Sequence, residues 1–264
     1  MRHLLAFILC AFLSCVQELN AQVFANLPIE FDDKHTLPLA EKISFEFITS
    51  NKIGVENTLS EWKNIEINQL SNDSFSVTMV AQPEFIGELR DQYLKQSFVI
   101  DLEEEVIKEL VVSFLKQVDN KWVLDDVVKY VEAHIDEETY VHGFNIASVV
   151  AKERSGDCTE HAVLTTALAR SLGLPSRVVV GTVIFEDKGE LSAIGHAWSE
   201  VWHNEKWQIL DAALYSSEDI KYFYFPSGEL GNEGLGFGMS LFTLVGRMPI
   251  RITRLRNTVI NNSF

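Results

Sequence analysis

Cysteine is scarce in this 264-residue chain, which has three: Cys10, Cys15 and Cys158. Two of them sit near the amino terminus and one stands alone, which excludes the stapled framework of small disulfide-rich secreted domains. Positive charge is also short. Lys and Arg number 22 against 38 Asp and Glu, for a formal net charge of -16. A surface of that sign repels phosphate backbones, so nucleic-acid binding is excluded as a main task. It favours a basic partner or serves solubility alone. Long hydrophobic runs are missing too. Residues 4–13 and 234–245 are the most apolar stretches, and both are shorter than the ~20 residues an integral membrane span needs. No internal repeat or low-complexity linker is visible. What is there is ordinary globular material: 47% hydrophobic and 11% aromatic residues, enough for one large domain or two smaller ones with real cores.

Residues 1–21 read as an export signal. Arg2 and His3 form a short polar start, an apolar run follows, and 14–21 supply a more polar exit with cleavage after Ala21. The expected location is periplasmic or secreted. A second pattern, Phe12-Leu13-Ser14-Cys15, faintly resembles a lipoprotein cleavage box and would anchor the chain through Cys15. With cleavage after Ala21, Cys158 is the only cysteine left. It is then a buried small hydrophobe, an intermolecular link or a reactive thiol.

The chain divides by period. Residues 22–100 form a β-rich region, in which 42–48 and 74–80 alternate polar and apolar side chains as half-buried strands do. From 101 the period becomes helical. Val106, Ile107, Leu110, Val111, Phe114 and Leu115 form one stripe, and Val127, Val128, Val131 and Ile135 form a second. A third helix is predicted over 159–172, ended by Gly173-Leu174-Pro175. The β-branched run 177–185, then 193–203 and 207–212 joined at Asn204-Glu205-Lys206, predict consecutive antiparallel strands and an α+β domain over 101–220. Residues 221–264 form a glycine-containing closing segment with a basic end at Arg247, Arg251, Arg254 and Arg256, expected to pair with acidic residues elsewhere.

Cys158 lies in Ser155-Gly156-Asp157-Cys158-Thr159-Glu160-His161, a turn signal followed at once by a helix. First-turn amides are unpaired donors at the positive end of the helix dipole. That position favours a thiolate, so the thiol pKa is expected to fall, and the same amides can stabilise an oxyanion. A thiol nucleophile needs a base that becomes an acid. His196, in the strand Gly195-His196-Ala197-Trp198, can serve. Asp211, across the short hairpin in Gln208-Ile209-Leu210-Asp211, can hold its tautomer and steady its charge. Taken singly, His196 and Asp211 would pass for a packed imidazole and a strand-ending carboxylate; their order and spacing set them apart.

These blocks resemble the transglutaminase-like superfamily of cysteine enzymes. Gly156 to Ala162 resembles its nucleophile block, Gly195 to Trp202 its histidine block, Trp207 to Asp211 its aspartate block, and Leu172 to Gly181 the helix end and strand between them. The resemblance spans residues 145–213, about a quarter of the chain. It implies a papain-like core, with a nucleophile helix packed on an antiparallel sheet behind a small β-rich amino-terminal region. It further implies a Cys158–His196–Asp211 catalytic triad and acyl transfer from an amide of a protein or peptide through a thioester. Hydrolysis is preferred to cross-linking because water is the abundant acceptor. Ala212-Ala213 departs from the proline and threonine common after the aspartate. Asn145 is the candidate for the upstream oxyanion side chain. No cofactor or metal is expected. A zinc site built from Cys158, His161, His196 and Asp211 is the ligand-set alternative, and a non-catalytic binding module that kept the fold is the functional one. The oligomeric state is not readable.

Overall fold

The alternating segments of the sequence sort into two sheets. The computed structural model describes residues 26–31, 37–139, 144–215 and 220–258. The export signal, Cys10 and Cys15 lie outside the described residues. In chain order the elements are β1 (Ile29–Phe31), β2 (Lys42–Thr49), a short helix α1 (Val55–Leu59), β3 (Trp62–Gln69) and β4 (Ser74–Phe85). Then follow α2 (Glu105–Gln117), α3 (Leu124–His134), β5 (Glu137–Glu138), α4 (Ala147–Glu153), β6 (Ser155–Gly156) and α5 (Cys158–Ser171). The chain closes with β7 (Ser176–Asp187), β8 (Glu190–His203), β9 (Lys206–Leu210), β10 (Tyr222–Glu229), α6 (Phe237–Arg247) and β11 (Pro249–Asn257).

The architecture is the α+β arrangement the sequence predicts. A four-stranded antiparallel sheet runs β10-β7-β8-β9, and a five-stranded sheet runs β1-β11-β2-β4-β3. The closing segment is shared between them. β10 pairs with β7 as an edge of the first sheet, and β11 enters the second between β1 and β2. Its arginines meet acidic or polar groups there, with Arg254 2.8 Å from Glu46, Arg251 3.5 Å from Glu30 and Arg256 donating to Ser44.

Helix α5 is buried on nearly every side from Thr159 to Arg170, as expected of a helix enclosed by other elements. On one side are α2, α3 and α4, whose stripes supply Ile107, Leu110, Phe114, Val127 and Val131. On the other are Val178, Val180, Ala197 and Val201 of the four-stranded sheet. Ser199 fixes the register between helix and strand, donating to the Ala162 carbonyl at 2.7 Å while pairing with Thr166 at 2.8 Å. The opposite face of the sheet carries Val179, Val183, Trp198, Trp207 and Tyr224, packed with Trp62, Phe85 and Tyr93. Strands of the five-stranded sheet thus cover the back of the sheet that carries His196. Helix α6 differs from the expectation for the glycine-rich tail. Phe237, Leu241, Leu244 and Val245 face the core, and this packing outweighs the cost of its glycines.

Candidate active site

Three elements converge on Cys158. It is the first residue of α5, behind a complete capping box. Asp157 Oδ1 accepts from the Thr159 amide at 2.8 Å, and the Glu160 carboxylate reaches back to the Asp157 amide at 3.0 Å. The Asp157 side chain also takes the Glu160 amide, so the Cys158 amide is left outside the cap. Gly156 is required here, because a Cβ would fall 2.3 Å from Glu160 Cβ. Glu160 is fully buried and accepts a third bond, from the Asn145 amide at 2.9 Å, tying the chain ahead of α4 to the start of α5. Burial first, and Asp157 second, push its carboxyl up to about 7. The Asp-x-x-Glu spacing of a capping box is a local signal from which this role could have been read.

His196 stands on β8 opposite Gly181 of β7. A Cβ at Gly181 would meet Phe225 O at 2.3 Å and the Trp198 ring at 2.8 Å, so only glycine lets β10 and the indole close in there. The imidazole lies nearly parallel to Trp198, with centroids 6.3 Å apart and an 18° interplanar angle. Its Nε2 is 2.7 Å from Asp211 Oδ2, which leaves Nδ1 as the ring nitrogen available to Cys158, the residue with which the ring is electrostatically coupled. His196 is 2% exposed, while Cys158 is partly exposed; the opening of the site is at sulfur.

Asp211 follows the last residue of β9, where the strand turns. Its Oδ1 accepts from the Ala213 and Leu214 amides at 3.1 Å each, so the Ala-Ala departure forms a turn that closes on the carboxylate. Its Oδ2 accepts from His196 and also from the Tyr224 hydroxyl of β10 at 2.9 Å. No local signal in the sequence singled out Tyr224, because its partner is set by strand pairing across the sheet.

The electrostatics follow from burial and mutual contact. Burial opposes charge on His196, but Asp211 and Cys158 outweigh it and the imidazole is pushed up to about 10. Burial would raise Asp211, yet His196, the Leu214 amide and Tyr224 bring it below the usual carboxylate value. Cys158 goes the other way from the expectation. Burial pushes the thiol up, and His196 and the Ala197 amide pull it back only in part, with Asp157 adding to the rise. The His161 ring is turned to the Asp157 carbonyl at 2.8 Å, and among the described residues no group of three or more His, Cys, Asp or Glu is placed to hold a metal ion.

Residues 116–212 match the family model of the transglutaminase-like superfamily core. This segment is a transglutaminase-like domain. It contains α3, α4, α5 and β7 to β9 with Cys158, His196 and Asp211. Solved structures similar to the chain include a candidate cysteine protease from Cytophaga hutchinsonii, at 17% identity over 70% of this chain and 76% of that one, with a TM-score of 0.37. The periplasmic domain of TgpA from Pseudomonas aeruginosa, bound to ethylmercury, matches at 13% identity over 74% and 93%, with a TM-score of 0.45. A TGase matches at 14% identity over 72% and 56%, with a TM-score of 0.32. No curated protein gives a significant match. Among the described residues no helix is long and apolar enough to cross a membrane.

Proposed function

We propose that the chain is an exported thiol enzyme that cleaves amide bonds of a protein or peptide, with Cys158 as nucleophile, His196 as acid and base, and Asp211 as the group that orients the imidazole. The observation that carries this reading is the hydrogen bond of the His196 ring to Asp211 Oδ2, together with the electrostatic coupling of that ring to Cys158 at the start of a buried helix. In the reactive pair the thiol has lost its proton and the imidazolium carries one on Nδ1, and the thiolate attacks the amide carbonyl carbon. The Cys158 amide, outside the cap, supplies an oxyanion donor. The imidazolium, steadied by Asp211, returns the proton to the leaving nitrogen as the C–N bond breaks, leaving a thioester. Water then attacks the thioester, His196 takes its proton, and acid and thiol are released. An amine in place of water would give cross-linking, and hydrolysis is preferred because water is in excess. Export rests on the signal pattern of residues 1–21.

The test is the rate of Cys158 alkylation by iodoacetamide against pH, in the wild-type protein and in His196→Ala. His196 lowers the thiol pKa, so its removal should slow labelling about tenfold or more near neutral pH. Mass spectrometry of a peptide library, with Cys158→Ala as control, then distinguishes hydrolysis from amine transfer. Labelling curves that coincide in the two proteins would discard the thiol-enzyme reading and leave the binding module.

A further inference from the structure

Asp211 Oδ2 is a shared acceptor. It takes the His196 ring nitrogen at 2.7 Å and the Tyr224 hydroxyl at 2.9 Å, while the other carboxylate oxygen is occupied by the Ala213 and Leu214 amides. Four donors thus hold one buried carboxylate, and two of them compete for the same oxygen. Tyr224 reaches the imidazole by a second route as well. Its ring meets Trp198 edge-on at 5.2 Å and 65°, and Trp198 lies parallel to His196. The hydroxyl is placed by strand pairing, since Tyr224 faces Val183 of β7 and Gly181, two residues before it, faces His196.

We propose that Tyr224 is a positioning residue that shares Asp211 Oδ2 with His196 and so limits how firmly the carboxylate holds the imidazolium. An imidazolium held by an unshared carboxylate would return its proton to the leaving nitrogen reluctantly. A hydroxyl on the same oxygen withdraws part of its charge and makes the base easier to recycle. The titratable groups that face His196 are Asp211 and Cys158, and those that face Tyr224 are Asp211 and Tyr222. Asp157 acts on the thiol from the helix side. This role rests on the thiol-enzyme reading for its consequence, although the coupling itself does not.

The experiment is the NMR titration of the His196 imidazole in wild type and Tyr224→Phe, with the resonance assigned by its loss in His196→Ala. The ring of Tyr224 stays in the variant, so packing on Trp198 is kept. The His196 midpoint should rise by about half a unit to one unit. An unmoved midpoint in folded Tyr224→Phe overturns the proposal, since a merely structural tyrosine would change the melting temperature and leave the midpoint alone. The reciprocal arm does not depend on that variant folding. In Asp211→Asn the hydroxyl of Tyr224, followed by tyrosine ring-carbon shifts, should titrate at least about one unit lower than in wild type, and no change there also overturns the proposal. The iodoacetamide comparison separates the two ideas. If wild-type labelling ignores His196 while the imidazole midpoint still moves in Tyr224→Phe, the thiol-enzyme reading fails and the coupling stands.

Discussion

Two buried ionic groups lie on the four-stranded sheet, and they are built to opposite ends. Glu200, four residues beyond His196 on the same strand, accepts from Arg177 of β7, from Trp62 Nε1 at 3.1 Å and from Trp198 Nε1 at 3.4 Å. Arg177 also donates to Glu229 at 2.9 Å, and its guanidinium carbon lies 3.2 Å from the centre of the Phe85 ring. Tyr93 and Arg90 complete Glu229 at 2.6 and 2.8 Å. The aromatic walls come from both sheets, and the cation keeps its proton at any physiological pH. The His196–Asp211 pair is equally buried but contains a base that can lose its proton, and it ends at a partly exposed sulfur. A charge that never titrates, sealed by ring faces, makes a joint between the sheets. A charge that titrates, left open at one end, makes a site of chemistry.

That contrast can be broken at either group. The largest effect is expected at the open one. Cys158→Ala should lower peptide turnover by about 10³-fold while thermal melting stays near that of wild type; His196→Ala should lose as much turnover and also melt earlier, because Asp211 is left buried without its partner, both measured in parallel on the same preparations. In the sealed group the effect should fall on stability instead. Arg177→Ala leaves Glu200 and Glu229 without their shared cation and should cost about 3–5 kcal/mol in urea denaturation. The pair Arg177→Met with Glu200→Gln should recover part of that loss.

The pH dependence of stability sharpens the comparison further. His196 titrates near 6.5 in the unfolded chain and at about 10 in the fold. Its contribution is complete below 6.5 and fades as pH climbs through 10. Asp211 is lowered from 3.8, so its contribution is present above that value and is lost as acid protonates it. Urea midpoints should therefore be highest between about pH 4 and 6.5 and decline on the alkaline side, and His196→Ala should flatten the alkaline slope. The Arg177 group gives no slope of its own from its cation over that range. The smallest effect is expected for Trp62→Phe, which removes one of the donors to Glu200 and should cost about 1–3 kcal/mol, with Cys158 labelling unchanged.

The parts of the molecule that could be read locally were those whose partners are close in sequence. The run from Arg177 to Phe185, the hairpin at Asn204-Glu205-Lys206 and the helix that stops at Gly173 each carry their period and their punctuation in a short window. Cys158, His196 and Asp211 were found through spaced blocks on these adjacent elements, and the structure brings all three together. Tyr224 was not legible, because its hydroxyl meets Asp211 only after β10 has paired on the far edge of the sheet. Trp62 was not legible as a partner for the same reason: Glu200 lies 138 residues beyond it. Helix α6 was hidden by its glycines, and only the packing of Phe237 and Leu244 reveals its helical period. The Cys158 thiol was misjudged in direction, since a helix terminus is visible in sequence and the surrounding burial is not.

Strand β11 has a bearing on how the chain is made. Among the described residues β1 pairs within its sheet only with β11, and β11 also borders β2. The first described strand and the last described strand are therefore neighbours, and the five-stranded sheet cannot close until residues 249–257 have been made. The strand partners of β7, β8 and β9 all come earlier, although Ile184 and Ala193 also pack in one cluster with Ile252 and Leu255 of β11. Cys158 and His196 can meet while the opening strand still waits for its mate, so the slow, long-range closure falls on the sheet that holds neither of them.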